Sequence, residues 1–240
     1  FTLPLRAQLV EYLGGDRDGG FAEYVAVPGA NAYQIKSTLS DAELATFPTS
    51  YDTAEEMLVR ARLGKDEVVV VTGAAGGVGT ALIQLALIRG AVVIAIAGKD
   101  KERQLLDLGA HHFIARDDGS VGAKIEAIVG CGGVDVFVDV VGGPLFGEIL
   151  KTLTRGGRYA TGGAIAGPVQ PFDLRDLIYK DLEMYGITCP TSETFASILK
   201  YIEEGRLKPI LAKTFSLQEL PSAQAELVKR SHVGKFVVVP

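Results

Sequence analysis

The apolar positions of the chain follow two alternating patterns from Glu67 onward. Short unbroken runs rich in valine and isoleucine predict strands that are buried on both faces, as in a parallel sheet. Between these runs, apolar residues recur every three or four positions, which is typical of amphipathic helices. The predicted strands are Val68–Val71, Val92–Ala97, Phe113–Ala115, Val134–Val141, Arg158–Thr161 and Leu182–Thr188.

Predicted helices separate these strands. They cover Thr53–Leu63, Thr80–Leu87, Lys101–Leu108, Val121–Val129, Pro144–Leu153 and 192–204. Six strands joined by crossover helices form two mononucleotide-binding halves, with strand order 3-2-1-4-5-6. The predicted fold class is therefore α/β, with a doubly wound, parallel six-stranded Rossmann sheet.

The two ends of the chain have a different texture. Near the beginning, Phe21–Val27 and Asn31–Ile35 read as strands separated by glycine-rich turns, and two such strands are not stable alone. Near the end, the pattern predicts strand Ile210–Phe215, helix Ser222–Arg230 and strand Lys235–Val239. We expect the tail to return and pack against the beginning, which divides the chain into 1–48, a dinucleotide-binding domain at 49–205, and 206–240.

Composition narrows the classes of partner. The 240 residues carry a net charge of −5 without a basic stripe, which argues against nucleic acid or a membrane surface. No apolar stretch is long enough for a membrane span, and no signal peptide precedes Phe1. Two cysteines without metal-ligand spacing favour reduced thiols. These features predict a cytoplasmic protein with a small-molecule substrate.

The strongest candidate chemistry is the glycine-rich turn after the first strand. Its residues Ala74-x-Gly76-x-x-Gly79 follow a valine strand and precede a helix, which is the context of a dinucleotide fingerprint. Gly76 would let the backbone approach a pyrophosphate, and Gly79 would let the helix pack on the strand. The helix N-terminus supplies unpaired N–H groups for an anion.

Other candidate residues follow the ends of further strands. Because ligands lie outside the carboxyl ends of parallel strands, Gly98, Arg116, Gly142–Gly143 and Gly162–Gly163 share one rim with the turn. Four such turns converging on one crevice suit a long, flat ligand such as a dinucleotide.

The end of the second strand bears on the choice between NAD and NADP. An acidic residue that would bind the NAD ribose is expected there, but Gly98 occupies the position, nineteen residues after Gly79. Lys99, Lys101 and Arg116 could instead bind a 2′-phosphate. Asp100 and Glu102 keep NAD possible. We predict NADP.

Several motifs together resemble the medium-chain dehydrogenase/reductase superfamily, particularly its quinone oxidoreductase and zinc-type alcohol dehydrogenase-like branches. The matching segments are Asp18–Val25, Phe47–Ala54, Thr72–Gly79, Leu108–Ala110, Gly133–Val136, Gly156–Tyr159 and His232–Lys235. The resemblance implies that 1–48 is the remnant of a GroES-like β domain in an N-terminally truncated enzyme. It also implies a homodimer through strand Leu182–Thr188, whose sheet edge would otherwise be bare.

In zinc-dependent relatives, a cysteine ligand lies four residues before the threonine that corresponds to Thr53. Thr49 stands there in this chain, and a neutral hydroxyl is a poor zinc ligand. Asp52 is interpreted as a solvated or capping residue rather than a ligand. Zinc is therefore doubtful and no metal ligand is assigned.

The resemblance also places the nicotinamide near residues of several strand ends, although it identifies no catalytic residue. Tyr51 and Thr53 are candidates for a donor to a developing oxyanion, with a packing role favoured for Tyr51. The full set of predicted cofactor contacts is Thr53, Ala75, Gly76, Gly77, Val78, Gly98, Lys99, Lys101, Arg116, Val141, Gly142, Gly162, Gly163, Ala164 and Ile187.

The predicted function is an NADP(H)-dependent oxidoreductase that transfers a hydride to or from a small carbonyl, enone, quinone or alcohol without zinc. Two alternatives remain open: a zinc-dependent alcohol dehydrogenase with ligands outside this chain, and a dinucleotide-binding redox sensor without catalysis.

Overall fold

A computed structural model describes residues 11–240. Its centre is a six-stranded, all-parallel sheet with the order β3-β2-β1-β4-β5-β6, which confirms the predicted doubly wound topology. The strands of this sheet are β1 (Val68–Thr72), β2 (Val92–Ala97), β3 (His112–Ala115), β4 (Val134–Asp139), β5 (Leu153–Thr161) and β6 (Glu183–Gly186).

Helices cover both faces of the sheet. They are α1 (Asp41–Leu44), α2 (Ser50–Arg60), α3 (Gly77–Ile88), α4 (Glu102–Asp107), α5 (Val121–Val129), α6 (Leu145–Leu150), α7 (Leu174–Tyr179), α8 (Ser192–Glu203) and α9 (Leu220–Val228). Within residues 11–240, none of the helices has the length and apolar character needed to cross a lipid bilayer.

The unbroken valine run of β1 is explained by this layering. Successive side chains of a strand point to opposite faces, so Val69 and Val71 enter one core and Val70 enters the other. The first core contains residues of α2, α3 and α8, and the second contains residues of α5 and α6. Because both faces are buried, β1 needs apolar residues at every position rather than at alternate ones.

The predicted strands Phe21–Val27 and Asn31–Ile35 are wrong. Only a short 3-10 turn at Gly29–Asn31 forms in this part of the chain, and Phe21 and Tyr24 are 64% and 90% exposed. A strand needs a neighbour for its backbone hydrogen bonds, and residues 11–240 supply none to this segment. The assignment of 1–48 to a GroES-like domain therefore stays a prediction.

The tail forms the predicted elements. Strand β7 (Leu211–Ser216) pairs in parallel with β8 (Lys235–Val239), and α9 lies between them in the chain. Both strands contact α1, and the division of the chain into domains stays a prediction. Gly234 also donates its N–H to Ala75 O at 3.0 Å, which attaches the tail to the glycine-rich turn.

Helix α7 lies where the sequence pattern predicts no element. None of its residues is buried, and Leu174, Ile178 and Tyr179 are exposed, so its apolar residues do not form a periodic core-facing stripe. The Asp173 side chain accepts a hydrogen bond from Arg175 N at 2.9 Å and caps the helix.

Candidate functional site

The turn between β1 and α3 is shaped by the absence of side chains. Gly73 has φ +60°, and a Cβ added to Gly79 would collide with Gly73 O and lie 2.5 Å from Ala74 Cα. No residue other than glycine fits position 79 without moving the turn. This is the close helix–strand contact that the fingerprint predicts for Gly79.

Beside this contact, the turn presents backbone to solvent. Gly76 is the N-cap of α3 and is exposed, while Gly77 and Val78 are half-buried in the first turn of the helix. The first N–H groups of a helix have no intrahelical acceptor, and the helix dipole favours an anion there. Residues 75–78 are therefore suited to hold a pyrophosphate.

Lys235 is a residue that the sequence analysis missed. A Cβ on Gly77 would meet Lys235 Cγ at 3.1 Å and Ser50 Oγ at 2.7 Å, so both side chains lie directly over the turn. The Lys235 ammonium donates to Pro48 O at 3.2 Å, and burial lowers the pKa of Lys235. The sequence around Lys235 does not predict its contact with the β1–α3 turn, because that contact forms only when β8 packs beside the turn.

The carboxyl ends of β4 and β5 form a second group of predicted contacts. A Cβ on Gly162 would meet Thr53 Cγ2 at 3.1 Å, and one on Gly163 would lie 3.0 Å from Val140 O. Ile187 donates its N–H to Thr161 O at 2.8 Å, which holds the end of β6 beside β5. The structure thus brings Thr53 to the Gly162–Ala164 turn, and a contact of these residues with a nicotinamide stays a prediction.

The backbone N–H groups of the turn after β4 point toward the buried end of that strand. The N–H groups of Val141 and Gly142 donate to the carboxylate of Asp139 at 2.8 Å and 3.1 Å. These N–H groups are occupied, so any contact of Val141 or Gly142 with a ligand would be made through other atoms. Asp139 is a second residue that the sequence analysis missed.

The ends of β2 and β3 carry charged side chains. Lys99 and Arg116 are exposed, and Arg116 pairs with Asp117 at 3.2 Å in an exposed ion pair that contributes little to stability. The Asp100 carboxylate lies near Gly98, because a Cβ on Gly98 would be 2.8 Å from Asp100 Oδ1. The hydrogen bond from Lys101 lowers the pKa of Asp100 and keeps it ionised.

Lys101 does not extend over the rim as the sequence analysis expects. Its side chain is only 9% exposed, and its ammonium donates to Ser231 O and pairs with Asp100 Oδ2 at 2.8 Å. A buried ammonium needs such partners to offset its lost hydration. Lys101 therefore fastens the tail to the end of β2, and Lys99 and Arg116 are the exposed cations of the predicted set.

Tyr51 has the packing role that the sequence analysis favours. It is 1% exposed, stacks against Phe47 and donates its hydroxyl to Lys208 O at 3.0 Å. Burial raises its pKa far above the ordinary value. A hydroxyl enclosed in the core in this way is not available to a substrate.

The residues at the zinc-ligand position do not fit zinc. Thr49 is exposed with φ +66°, and its neutral hydroxyl is a weak ligand. Asp52 accepts the Thr53 N–H at 2.7 Å, and burial raises the pKa of Asp52, which opposes its ionisation. Residues 11–240 contain no group of three or more His, Cys, Asp or Glu side chains arranged to hold a metal ion.

Comparison with known proteins gives consistent matches. The profile of the family described as "zinc-binding dehydrogenase" matches residues 77–204. "Quinone oxidoreductase-like protein 2" of Bos taurus is 34% identical over 91% of this chain and 66% of its own length. "Acryloyl-coenzyme A reductase" of Sulfurisphaera tokodaii is 32% identical over 93% of this chain and 66% of its own length.

A solved structure extends the comparison to the fold. A Sinorhizobium meliloti protein with the provisional description of alcohol dehydrogenase superposes with a TM-score of 0.91 at 48% identity, covering 96% of this chain and 64% of that one. The chain thus spans about two thirds of the length of the proteins that it matches. It belongs to the zinc-binding dehydrogenase family, within the medium-chain dehydrogenase/reductase superfamily.

Proposed function

We propose that this member of the zinc-binding dehydrogenase family binds NADP(H) and transfers a hydride to or from a small carbonyl, enone, quinone or alcohol. The observation that carries the proposal is the turn at β1–α3, where Gly79 has no room for a side chain and the start of α3 is open. This turn lies beside the change of strand order between β1 and β4, where doubly wound folds bind nucleotides.

The chain's own residues would bind and orient the cofactor. The pyrophosphate would lie against the N–H groups of Gly77 and Val78, with the Lys235 side chain beside it. The nicotinamide would lie near Thr53 and the Gly162–Ala164 turn. Ile187, at the end of β6, would lie next to this turn. The cofactor, when bound, supplies the hydride, so these residues act by orientation.

The preference for NADP(H) is supported by the ends of β2 and β3. Lys99 and Arg116 are exposed there and could meet a 2′-phosphate, with Arg116 able to make two parallel hydrogen bonds. The Asp100 carboxylate lies near Gly98, and its charge is balanced by Lys101 at 2.8 Å. An NAD-binding protein is the second candidate, because that same carboxylate could accept ribose hydroxyls.

The names of the relatives support the proposed substrate class. The proposed enzyme does not use zinc. The curated relatives include proteins named quinone oxidoreductase-like and acryloyl-coenzyme A reductase, whose named substrates carry a quinone or an enone-like conjugated group. The donors at Thr49 and Asp52 do not fit zinc. The family description as zinc-binding favours the alternative, a zinc alcohol dehydrogenase with ligands outside the described residues.

A homodimer is also part of the proposal. Strand β6 is an edge of the sheet formed by residues 11–240, and Met184 on it is 39% exposed. An unpaired edge of this kind favours pairing with a second copy. Light scattering would test the dimer, and a monomer at all concentrations would contradict it.

Titration of the protein with NADPH and NADH, followed by nicotinamide fluorescence, tests the cofactor. We expect a lower Kd for NADPH, and equal or tighter binding of NADH would reject the NADP preference. A panel of quinones, enones, aldehydes and alcohols then tests turnover. Binding without turnover on any member would favour the redox sensor, and one zinc ion per active chain by metal analysis would favour the zinc enzyme.

A further inference from the structure

Asp139, the last residue of β4, is a fully buried carboxylate at the rim of the sheet. Burying a charge is unfavourable unless partners replace its hydration. The ion pairs with two largely buried partners in residues 11–240 are Arg89–Glu55 and Arg158–Glu67, and neither includes Asp139. Its charge is held by hydrogen bonds alone.

Donors from β1, from β5 and from the turn after β4 converge on this carboxylate. The Thr72 hydroxyl, at the end of β1, donates to Oδ1, and the Tyr159 hydroxyl, on β5, donates to Oδ2 at 3.0 Å. The N–H groups of Val141 and Gly142 donate to Oδ1 at 2.8 Å and 3.1 Å. Asp139 therefore ties the following turn to the ends of β1 and β5.

The turn is held in a conformation that few residues adopt. Gly142 and Gly143 have φ values of +62° and +71°. On its far side the turn is bound to the next loop, because Ala166 donates its N–H to Val141 O at 2.8 Å. Gly143 N–H donates to Gly167 O at 3.2 Å. Removing the acceptor at Asp139 would release one of the two sides of this clamp.

We propose that Asp139 is a positioning residue for the nicotinamide-bearing half of the cofactor, acting through the Val141–Gly143 turn. The inference rests on the proposed dinucleotide function. In a doubly wound sheet each half takes one mononucleotide, so the end of β4 serves a different half from Lys99 and Arg116 beyond β2 and β3. Asp139 thus governs one half of the ligand and leaves the adenosine half untouched.

Asp139→Asn tests this, with calorimetric Kd values for NADPH and for 2′,5′-ADP, which carries only the adenosine half. Asparagine keeps the shape but replaces one acceptor by a donor that faces other donors. We expect the Kd for NADPH to rise about tenfold or more, as for a lost hydrogen bond to a charged group. The Kd for 2′,5′-ADP should not change.

Asp135→Asn is the matched control. It makes the same chemical change on the same strand, but at the opposite end of the sheet, where Asp135 accepts the Val68 N–H at 2.8 Å. Both Kd values should equal those of the wild type. If Asp139→Asn does not fold, Tyr159→Phe removes a single donor and should give a smaller change in the same direction.

The outcomes separate the two levels of inference. A variant that melts at a lower temperature but binds NADPH like the wild type assigns Asp139 a structural role only and overturns the positioning role. Equal weakening of NADPH and 2′,5′-ADP also overturns it. A wild-type protein that binds neither ligand overturns the proposed function, and the positioning role with it.

Discussion

Two regions of the rim at the carboxyl ends of the strands are built in opposite ways. The β1–α3 turn is made of backbone, and its form follows from the lack of a side chain at Gly79, where any Cβ collides with Gly73 O. The ends of β2 and β3 carry long charged side chains, of which Lys99 and Arg116 are exposed while Lys101 is buried. Excluded volume restricts the backbone of the β1–α3 turn to one conformation. Long charged side chains, by contrast, can pair with more than one partner.

The largest effect is expected from Gly79→Ala. The added methyl group must displace Gly73 or Ala74 at the junction of β1 and α3, since its Cβ would lie 2.5 Å from Ala74 Cα. We expect a loss of roughly 3 kcal/mol of unfolding free energy, the upper range for overpacking. Urea denaturation followed by circular dichroism measures it.

Two glycine variants control this prediction. Gly147→Ala, on α6, meets no atom within 4 Å and should not destabilise the protein. Gly76→Ala meets only Gly73 O at 3.4 Å, so it should fold normally while its methyl group obstructs the approach of a pyrophosphate. An unchanged stability of Gly79→Ala would break the comparison, because the turn would then not depend on excluded volume.

Lys101→Met should destabilise the protein without weakening cofactor binding. The variant loses the hydrogen bond from the ammonium to Ser231 O and the ion pair with Asp100; because both partners belong to exposed residues, we expect a cost of about 1 kcal/mol. Denaturation and NADPH titration of the same sample measure both effects. If the variant keeps its stability and only the Kd for NADPH rises, Lys101 contacts the cofactor in the way proposed for Lys99 and Arg116.

Arg116→Ala should act in the reverse way. Its side chain is 57% exposed, so stability should stay within about 0.5 kcal/mol of the wild type. Loss of a bidentate partner should raise the Kd for NADPH about tenfold. The Kd for NADH should not change, and Arg103→Ala, on an exposed side chain of α4, serves as the charge control. Equal weakening with both cofactors would contradict a contact with the 2′-phosphate.

The smallest effect is expected from Asp52→Asn, which tests whether charge contributes to stability near the β1–α3 turn. Burial raises the pKa of Asp52 above 3.8, so the folded state binds a proton that the unfolded state has already released. Asp52 therefore lowers stability as the pH rises from about that value through the raised pKa. The asparagine variant should match the wild type in strong acid and be slightly more stable at pH 7.

Denaturation at several pH values follows this difference. Lys235 partly offsets the cost of the Asp52 carboxylate, because its positive charge opposes the rise in pKa. A variant that is less stable than the wild type at pH 7 would show that the Asp52–Lys235 attraction outweighs the burial of the carboxyl group.

The sheet and most of its helices could be predicted because their patterns are local. Helix α5 agrees with the predicted Val121–Val129, and the strand order follows from the alternation of elements. The strands expected at Phe21–Val27 and Asn31–Ile35 fail for a physical reason. A strand is stable only with a hydrogen-bonding neighbour, and apolar alternation by itself cannot supply one.

The candidate site divides in the same way. Positions that need glycine can be recognised from their spacing, as at Gly76 and Gly79, because the constraint lies in the backbone nearby. Asp139 gives no such sign. Its donors come from β1, β5 and the following turn, and Thr72 is 67 residues away in the chain.

The sequence by itself determined the doubly wound sheet, the order of its strands and the position of the glycine-rich turn, because periodicity and missing side chains act over a few residues. Only the tertiary structure decided which long polar side chains serve the site. Lys101 is withdrawn to Ser231, 130 residues away, and Lys235 is brought over the turn by the returning tail. Flexible charged groups take the partners that packing places within reach, and packing is a property of the whole fold.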